Sequence, residues 1–136
     1  MNEIIYKNTK DFNAQELQEL FLSVEWSSGR FPDKLVIAMK NSETVFSAWD
    51  NNKLVGLINV LDDSIMTAYV HYLLVNPEYQ GKGIGKELVR LVKEKYKDYI
   101  YNFLIAEYDE NKPVTGFYEK CGFNASKSTP MYIIKY

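Results

Sequence analysis

Apolar residues recur along the chain with helical spacing in some segments and in continuous or alternating runs in others. The first helical face, with a spacing of three to four residues, comprises Leu17, Leu20, Phe21 and Val24. Asp11 or Asn13 can cap this helix, and the segment 26–32 ends it. A second short helix is predicted over residues 33–40. A third helix has an apolar face that comprises Ile84, Leu88, Leu91, Val92 and Tyr96.

Runs rich in β-branched and aromatic residues, bounded by turn residues, predict the strands. The predicted strands are 4–7, 44–49, 54–61, 66–75, 103–108 and 131–136, with another near Phe123. A last helix opens at Pro113, holds Phe117 and Tyr118, and stops at Gly122. The order β-α-α-β-β-β-α-β-α-β predicts an α+β (mixed α/β) fold in which helices cover one sheet.

Length and composition indicate one folded domain, 1–136, because 46% of the 136 residues are apolar. Cys121 is the only cysteine and His71 the only histidine, so we expect no internal disulfide and no metal site. The first residues lack the features of a signal peptide, and no apolar run is long enough to cross a bilayer. We therefore expect a cytoplasmic protein without a membrane partner.

The charge distribution is uneven although the formal net charge is only −2, which gives no indication of a nucleic acid partner. Six lysine or arginine residues and two glutamates lie between Lys82 and Lys97. A basic segment of this kind suits a small polyanion, and it is also the ordinary composition of a solvated helix face.

Three glycines at alternate positions, Gly81, Gly83 and Gly85, follow a predicted strand and precede a predicted helix. Glycine has no Cβ, so its backbone can approach a phosphate closely and can adopt positive φ. The N–H groups and the dipole at a helix start attract anions, and Lys82 and Lys86 add charge there. Such a turn either binds a phosphate group or only packs a helix closely.

Two other phosphate-binding motifs do not fit this turn. The nucleoside-triphosphate loop requires glycine at the position of Gln80 and Ser or Thr at the position of Glu87. The dinucleotide fingerprint requires its third glycine one residue later than Gly85, and it follows a first strand. These differences argue against a nucleotide-binding regulator.

The same residues resemble the GNAT superfamily of N-acetyltransferases, whose signature Arg/Gln-x-x-Gly-x-Gly/Ala is matched by Gln80, Gly83 and Gly85. A second block, Asn111 followed by Phe-Tyr-Glu-Lys-Cys-Gly-Phe at 117–123, is similar to another stretch of the family. The resemblance implies a GNAT-like fold with one central, mostly antiparallel sheet, a splayed strand pair and about four flanking helices. It also implies an acetyl-CoA-dependent N-acetyltransferase.

The resemblance assigns acetyl-CoA to the region of the glycine turn. Main-chain amides from Gln80 to Lys86 are expected to hold its pyrophosphate, and main-chain groups of residues 73–75 its pantetheine arm. Asn111 is expected to contact the pantetheine, and Tyr118 to lie near the thioester sulfur. The implied co-substrate-binding residues are Leu73, Leu74, Val75, Gln80, Gly81, Lys82, Gly83, Ile84, Gly85, Lys86, Asn111 and Tyr118.

The implied reaction is direct attack of an amine on the acetyl carbonyl. Tyr118 is expected to protonate the departing thiolate, since a group with a pKa near 10 suits a thiol leaving group. Some members carry a Glu base on the strand before the turn, but Tyr69 occupies that position here. His71, two residues further on, is either the base or an ordinary strand histidine. Glu107 either attracts a cationic amine or is an exposed loop acid.

The acceptor is expected to be a small-molecule primary amine, with Trp26, Arg30, Phe31, Tyr69 and Glu107 as candidate contacts. Trp26 is equally a candidate core residue. Two alternatives are a protein N-terminus or lysine as the acceptor, and a CoA-binding sensor domain without catalysis. Edge strands and eleven tyrosines are compatible with a homodimer.

Overall fold

A computed structural model describes residues 3–106, 115–125 and 127–135 of the chain. The chain divides into two units, Met1–Phe103 and Leu104–Tyr136, each of which is described by itself. Helix α4 (Thr115–Lys120) lies in the second unit. No helix among the described residues is both long enough and apolar enough to span a membrane.

A five-stranded sheet has the spatial order β1-β2-β3-β4-β5. The strands are β1 (Ile5–Lys7), β2 (Thr44–Asp50), β3 (Lys53–Asp62), β4 (Thr67–Val75) and β5 (Tyr101–Leu104). Each neighbouring pair from β1 to β4 is antiparallel, which confirms the mostly antiparallel sheet. β5 joins at the start of β4, where the Tyr101 N–H donates to the Met66 carbonyl at 3.0 Å.

Three helices accompany the sheet in the first unit: α1 (Ala14–Ser23), α2 (Pro32–Asn41) and α3 (Ile84–Lys95). Asn13 is the cap of α1, because its side chain accepts from the Glu16 N–H while the Glu16 carboxylate accepts from the Asn13 N–H. A short 3-10 helix, Ser27–Arg30, separates α1 from α2. The sequence therefore predicted these helices within one or two residues.

The helices cover both faces of the sheet. The core on the α1 and α2 side includes Leu17, Phe21, Met39, Val45, Leu57 and Leu74. On the other side, a Cβ added at Gly56 in β3 would lie 3.2 Å from Ile84 and 3.4 Å from Leu88 of α3. Glycine at this position thus allows α3 to approach the sheet closely. Because both faces are covered, β3 is buried from Leu54 to Val60.

Three strand predictions differ from the structure. The strand predicted at 103–108 is β5, Tyr101–Leu104, and residues 107–108 lie outside the described part. The described residues 131–135 of the predicted last strand are not in a strand, nor are residues 123–125. An apolar, β-branched run indicates only a preference, and a strand also needs a neighbour for its ladder. Met131 and Ile133 are instead 90% and 85% exposed.

Candidate functional site

The turn between β4 and α3 is built from glycines in the left-handed region. Gly81 and Gly83 have φ values of +79° and +84°, which side chains with a Cβ rarely adopt. A Cβ built on either glycine would meet no atom of the described chain within 4 Å. The outer side of the turn is therefore open, and a ligand can approach the backbone there.

Gly83 immediately precedes the first residue of α3, and no side chain of the described residues caps the helix. The Glu87 N–H is the first to donate within the helix, to the Gly83 carbonyl at 3.0 Å. The N–H groups of Gly83 and of residues 84–86 therefore have no intrahelical acceptor. Helix α1, in contrast, has its start satisfied by Asn13 and Glu16. An anion at the start of α3 would accept hydrogen bonds from these N–H groups, and it would lie at the positive end of the helix dipole.

Hydrogen bonds tie the glycine turn to the sheet. The Gln80 side chain donates through Nε2 to the Val75 carbonyl at 2.9 Å, and the Asn76 N–H donates to the Val55 carbonyl at 2.8 Å. The Tyr79 hydroxyl donates to Asp50 Oδ2 at 2.6 Å. The Gln80 side chain therefore holds the loop to the end of β4, and its backbone N–H already donates to the Pro77 carbonyl at 3.3 Å.

The charges beside the turn are mostly positive. Lys82 and Lys86 are exposed, and Lys82 Nζ lies 5.6 Å from the centroid of the Tyr79 ring. Glu87 in the first turn of α3 is paired with Arg90, with 2.7 Å between Oε1 and Nη2. This hydrogen bond lowers the pKa of Glu87, so the charge of Glu87 is matched locally by Arg90.

Strand β4 contains a bulge at His71. The register pairs Asn59 with Tyr72 and Val60 with Val70, which leaves His71 as the extra residue. Adjacent side chains of a regular strand point to opposite faces. Here the rings of His71 and Tyr72 are stacked, with 4.0 Å between centroids. The bulge therefore brings two neighbouring side chains to one side of the strand.

A cluster of rings surrounds Tyr72. Its ring centroid lies 5.0 Å from that of Phe21 and 5.9 Å from that of Trp26. The hydroxyls of Tyr72 and Ser28 are hydrogen-bonded at 3.2 Å, which joins the 3-10 helix to β4. The cluster continues through His71 to Tyr69, 5.9 Å away. Trp26 is thus both packed against the core and part of this cluster.

His71 is exposed as a residue, but one side of its ring lies against Tyr72. The loss of solvent lowers the pKa of His71 below 6.5, and it raises the pKa of Tyr69 above 10. No hydrogen bond holds the imidazole nitrogens within the described chain. At neutral pH the ring is therefore uncharged and can accept a proton.

The remaining acceptor candidates do not join the ring cluster. Arg30 is exposed at the end of the 3-10 helix, and Phe31 is exposed with Lys34 Nζ 5.4 Å from its ring centroid. Neither residue makes a ring contact with the cluster among the described residues. Glu107 and Asn111 lie outside the described residues.

In the second unit, the end of α4 fixes the position of Tyr118. The Phe123 N–H donates to the Tyr118 carbonyl at 3.0 Å, and the Gly122 N–H donates to the Glu119 carbonyl at 3.0 Å. With Gly122 at φ +98°, these bonds form a Schellman motif, and the Phe123 ring lies 6.2 Å from the Tyr118 ring. Burial raises the pKa of Tyr118 above its usual 10, so its hydroxyl stays protonated.

Comparison with known proteins settles the family. The family model described as the acetyltransferase (GNAT) family matches residues 11–123, most of the chain. The chain belongs to the GNAT acetyltransferase family. It is therefore an acyltransferase, and residues 11–123 extend over parts of both units.

Individual relatives agree with this assignment. The chain is 33% identical to an uncharacterised N-acetyltransferase, ycf52, of Porphyra purpurea over 90% of its own length and 71% of that protein. It is 29% identical to the histone acetyltransferase TAP1 of Glycine max, over 92% of the chain and 58% of that protein. A GNAT family acetyltransferase from Streptococcus pneumoniae TIGR4 has a TM-score of 0.83 at 27% identity and 98% coverage of both chains. The predicted GNAT-like fold is thereby confirmed.

Sequence reasoning about this GNAT acetyltransferase did not single out Tyr72, which lies in the ring cluster, or Asn59, which bonds to the bulged part of β4. The signal for Tyr72 is weak: two ring-bearing residues, His71 and Tyr72, stand side by side in the strand sequence. Asn59 gave no signal in the sequence, because its side chain bonds to the backbone of the neighbouring strand β4, at the bulge. No group of His, Cys, Asp and Glu in the described part is arranged to hold a metal ion.

Proposed function

We propose that this GNAT enzyme transfers the acetyl group of acetyl-CoA to the primary amine of a small molecule. The observation that supports this most strongly is the open, glycine-capped start of α3 at the end of β4. A diphosphate there would accept hydrogen bonds from N–H groups between Gly81 and Lys86, and a Cβ built on Gly81 or Gly83 meets no atom of the described chain within 4 Å. We further propose that residues 1–136 act as one acetyltransferase domain.

The rest of the co-substrate would follow from the position of its pyrophosphate. β4 ends at Val75, and only a short 3-10 helix, Pro77–Tyr79, and its flanking residues separate it from the glycine turn, so main-chain groups of residues 73–75 are proposed to bind the pantetheine arm. Asn111 is proposed as a further contact to that arm. An amide near Val75 is proposed to polarise the acetyl carbonyl, since a fixed N–H stabilises the developing oxyanion.

The proton transfers are assigned to two side chains. His71 takes a proton from the ammonium form of the acceptor, directly or through water, and the freed amine attacks the acetyl carbonyl. The bond between carbon and sulfur then breaks, and Tyr118 gives its proton to the leaving thiolate. The nitrogen loses its second proton as the amide forms, and this proton returns through water to Tyr118, while His71 releases the first proton to the solvent. The products are the acetylated amine and CoA. The neutral imidazole of His71 and the protonated phenol of Tyr118 have the forms that these roles require.

The ring cluster supports a small acceptor. Trp26, Tyr72 and His71 offer flat faces that can stack on an aromatic amine or hold a cation. Tyr69 stands where some members carry a Glu, which weighs mildly against a lysine-directed enzyme. Transfer to a protein N-terminus or lysine remains the second candidate, supported by the histone acetyltransferase among the similar proteins.

The test is to incubate the protein with acetyl-CoA and a panel of acceptors and to follow the release of CoA thiol. The panel contains polyamines, aminoglycosides, amino acids, arylalkylamines and peptides with a free N-terminus or lysine. We expect turnover with a small amine that exceeds turnover with every peptide. Faster peptide acetylation would establish the protein-directed alternative.

Calorimetry of CoA and acetyl-CoA binding separates the remaining outcomes. Tight binding without turnover on any acceptor would indicate the non-catalytic sensor. Binding of neither compound would overturn the co-substrate assignment itself.

A further inference from the structure

The bulge in β4 is held by buried side chains. Asn59, which is 1% exposed, accepts from the Tyr72 N–H through Oδ1 at 2.8 Å and donates through Nδ2 to Ser42 Oγ at 3.0 Å. The Ser42 hydroxyl donates in turn to the Ala38 carbonyl of α2 at 2.8 Å. Three hydrogen bonds therefore connect the end of α2, through β3, to the bulged part of β4.

A polar side chain at position 59 needs an explanation, because the surrounding part of β3 is buried and apolar. Burying an amide costs free energy unless its donors and acceptors are satisfied, so packing alone would favour an apolar residue. The Tyr72 N–H can only donate, which requires that Oδ1 of Asn59 faces it. The network thus has a fixed direction and holds one backbone conformation of β4.

We propose that Asn59 and Ser42 are positioning residues for the acetylation of the amine, because they hold the bulge that keeps His71 and Tyr72 on one side of β4. This inference rests on the proposed function, since it takes the ring cluster as the place where the amine is bound. Neither residue contacts the acceptor, and both act through the backbone of β4.

The two rings depend on the network to different degrees. The Tyr72 ring is also held by Phe21, by Trp26 and by the Ser28 hydroxyl. His71 has no hydrogen bond to its ring within the described chain, so its direction follows from the bulged backbone and from its stacking on Tyr72. When the network is broken, His71 should therefore move while Tyr72 stays.

The experiment compares Asn59→Ala and Ser42→Ala with Ser47→Ala as the matched control. Ser47 is also fully buried and hydrogen-bonded, accepting from Trp49 Nε1 at 2.9 Å, but it lies on β2, in a different network from the bulge. We expect kcat/KM for the best amine of the panel to fall about tenfold in Asn59→Ala, and by a smaller factor in Ser42→Ala. The KM for acetyl-CoA should stay near its wild-type value, and Ser47→Ala should change neither constant.

A second readout does not depend on turnover. His71 is the only histidine of the chain, so its imidazole protons give a single NMR titration curve. We expect a pKa below 6.5 in the wild type and in Ser47→Ala, and a value closer to 6.5 in Ser42→Ala and Asn59→Ala, where the ring is more solvated.

The outcomes are distinguishable. If Asn59→Ala does not fold, Ser42→Ala decides, because it leaves Asn59 in place. Unchanged amine kinetics together with an unchanged His71 titration in Ser42→Ala would overturn the inference while leaving the proposed function intact. If the wild type acetylates no amine, the proposed function fails, and the titration still shows whether the network positions His71.

Discussion

His71 in the first unit and Tyr118 in the second have pKa values that burial shifts in opposite directions. Burial lowers the pKa of His71 and raises the pKa of Tyr118. The cause is the same in both, since a poorly solvated environment disfavours the charged form of each group. Each side chain is therefore neutral near pH 7, His71 with a lone pair to accept a proton and Tyr118 with a proton to give.

Tyr118→Phe keeps the ring beside Phe123 and removes only the hydroxyl. We expect kcat to fall by about tenfold or more, because the thiolate then leaves without an internal proton donor. Steady-state kinetics at saturating acetyl-CoA measure this. Tyr132→Phe, at a side chain that is 77% exposed, should retain the wild-type kcat. If both variants have the same kcat, the Tyr118 hydroxyl has no part in the mechanism.

His71→Phe keeps a flat ring beside Tyr72 but has no basic nitrogen. We expect kcat/KM for the amine to be about tenfold or more below wild type at pH 7 to 9. A base acts only when neutral, and burial holds the pKa of His71 below 6.5. The ratio of wild type to variant should therefore be constant above pH 6.5 and decline towards one at lower pH. The ionisation of the amine affects wild type and variant equally, so it cancels in this ratio. A ratio of one at every pH would exclude His71 as the base.

At the scale of single elements, the sequence predicted what depends on local patterns. The three helices of the first unit and the hairpin of β2 and β3 were predicted closely, because apolar spacing and turn residues encode them locally. The bulge at His71 was not predicted, since Asn59 holds it from another strand. The strand predicted at 131–136 was wrong for its described residues, because composition does not supply a pairing partner.

The same limits apply to the candidate site. The glycine turn was predicted from sequence because three glycines and a helix start stand together in the chain. The ring cluster was predicted only in part: Trp26, Tyr69 and His71 were candidates, but Tyr72, which joins them, was not. Contacts between residues more than 40 positions apart, such as Trp26 and Tyr72, follow from the fold and from no local pattern.

Gly83→Ala tests the glycine turn as an element. At φ +84° an alanine would cost about 1–2 kcal/mol, and its methyl group would stand on the open side of the turn. We expect the Kd for acetyl-CoA to rise at least about tenfold in calorimetry, since the diphosphate could no longer reach the backbone. Asn13→Ala is the control, because it removes the cap of α1 at a similar cost of about 1 kcal/mol. Equal losses of affinity in both variants would mean that general destabilisation is the cause.

At the scale of the whole first unit, helices on both faces of the sheet depend on a few buried polar contacts. The Tyr96 hydroxyl, at the end of α3, is 2.6 Å from Thr44 Oγ1 at the start of β2, and both residues are buried. This hydrogen bond joins the end of α3 to β2, and the Asp62 carboxyl group also lies close to the Tyr96 hydroxyl. Burial also raises the pKa of Tyr96, so the phenol keeps its proton.

Tyr96→Phe should lower the free energy of unfolding by about 1–3 kcal/mol, because the buried Thr44 hydroxyl loses its partner. Urea denaturation followed by circular dichroism measures the change. Tyr101→Phe, at a residue that is 49% exposed, should have an effect close to zero. A loss in Tyr96→Phe no larger than in this control would show that the hydrogen bond contributes little to stability.

The glycine at the start of α3 has a consequence for heat resistance. Helix α1 receives its cap from the chain, whereas the acceptor for the first N–H groups of α3 would be the diphosphate of a bound molecule. A ligand that binds only the folded state adds about 2.7 kcal/mol at a concentration one hundred times its Kd. Scanning calorimetry should therefore show a Tm that rises with added CoA, and a much smaller rise in Gly83→Ala. The melting temperature of this enzyme would then report how much co-substrate surrounds it.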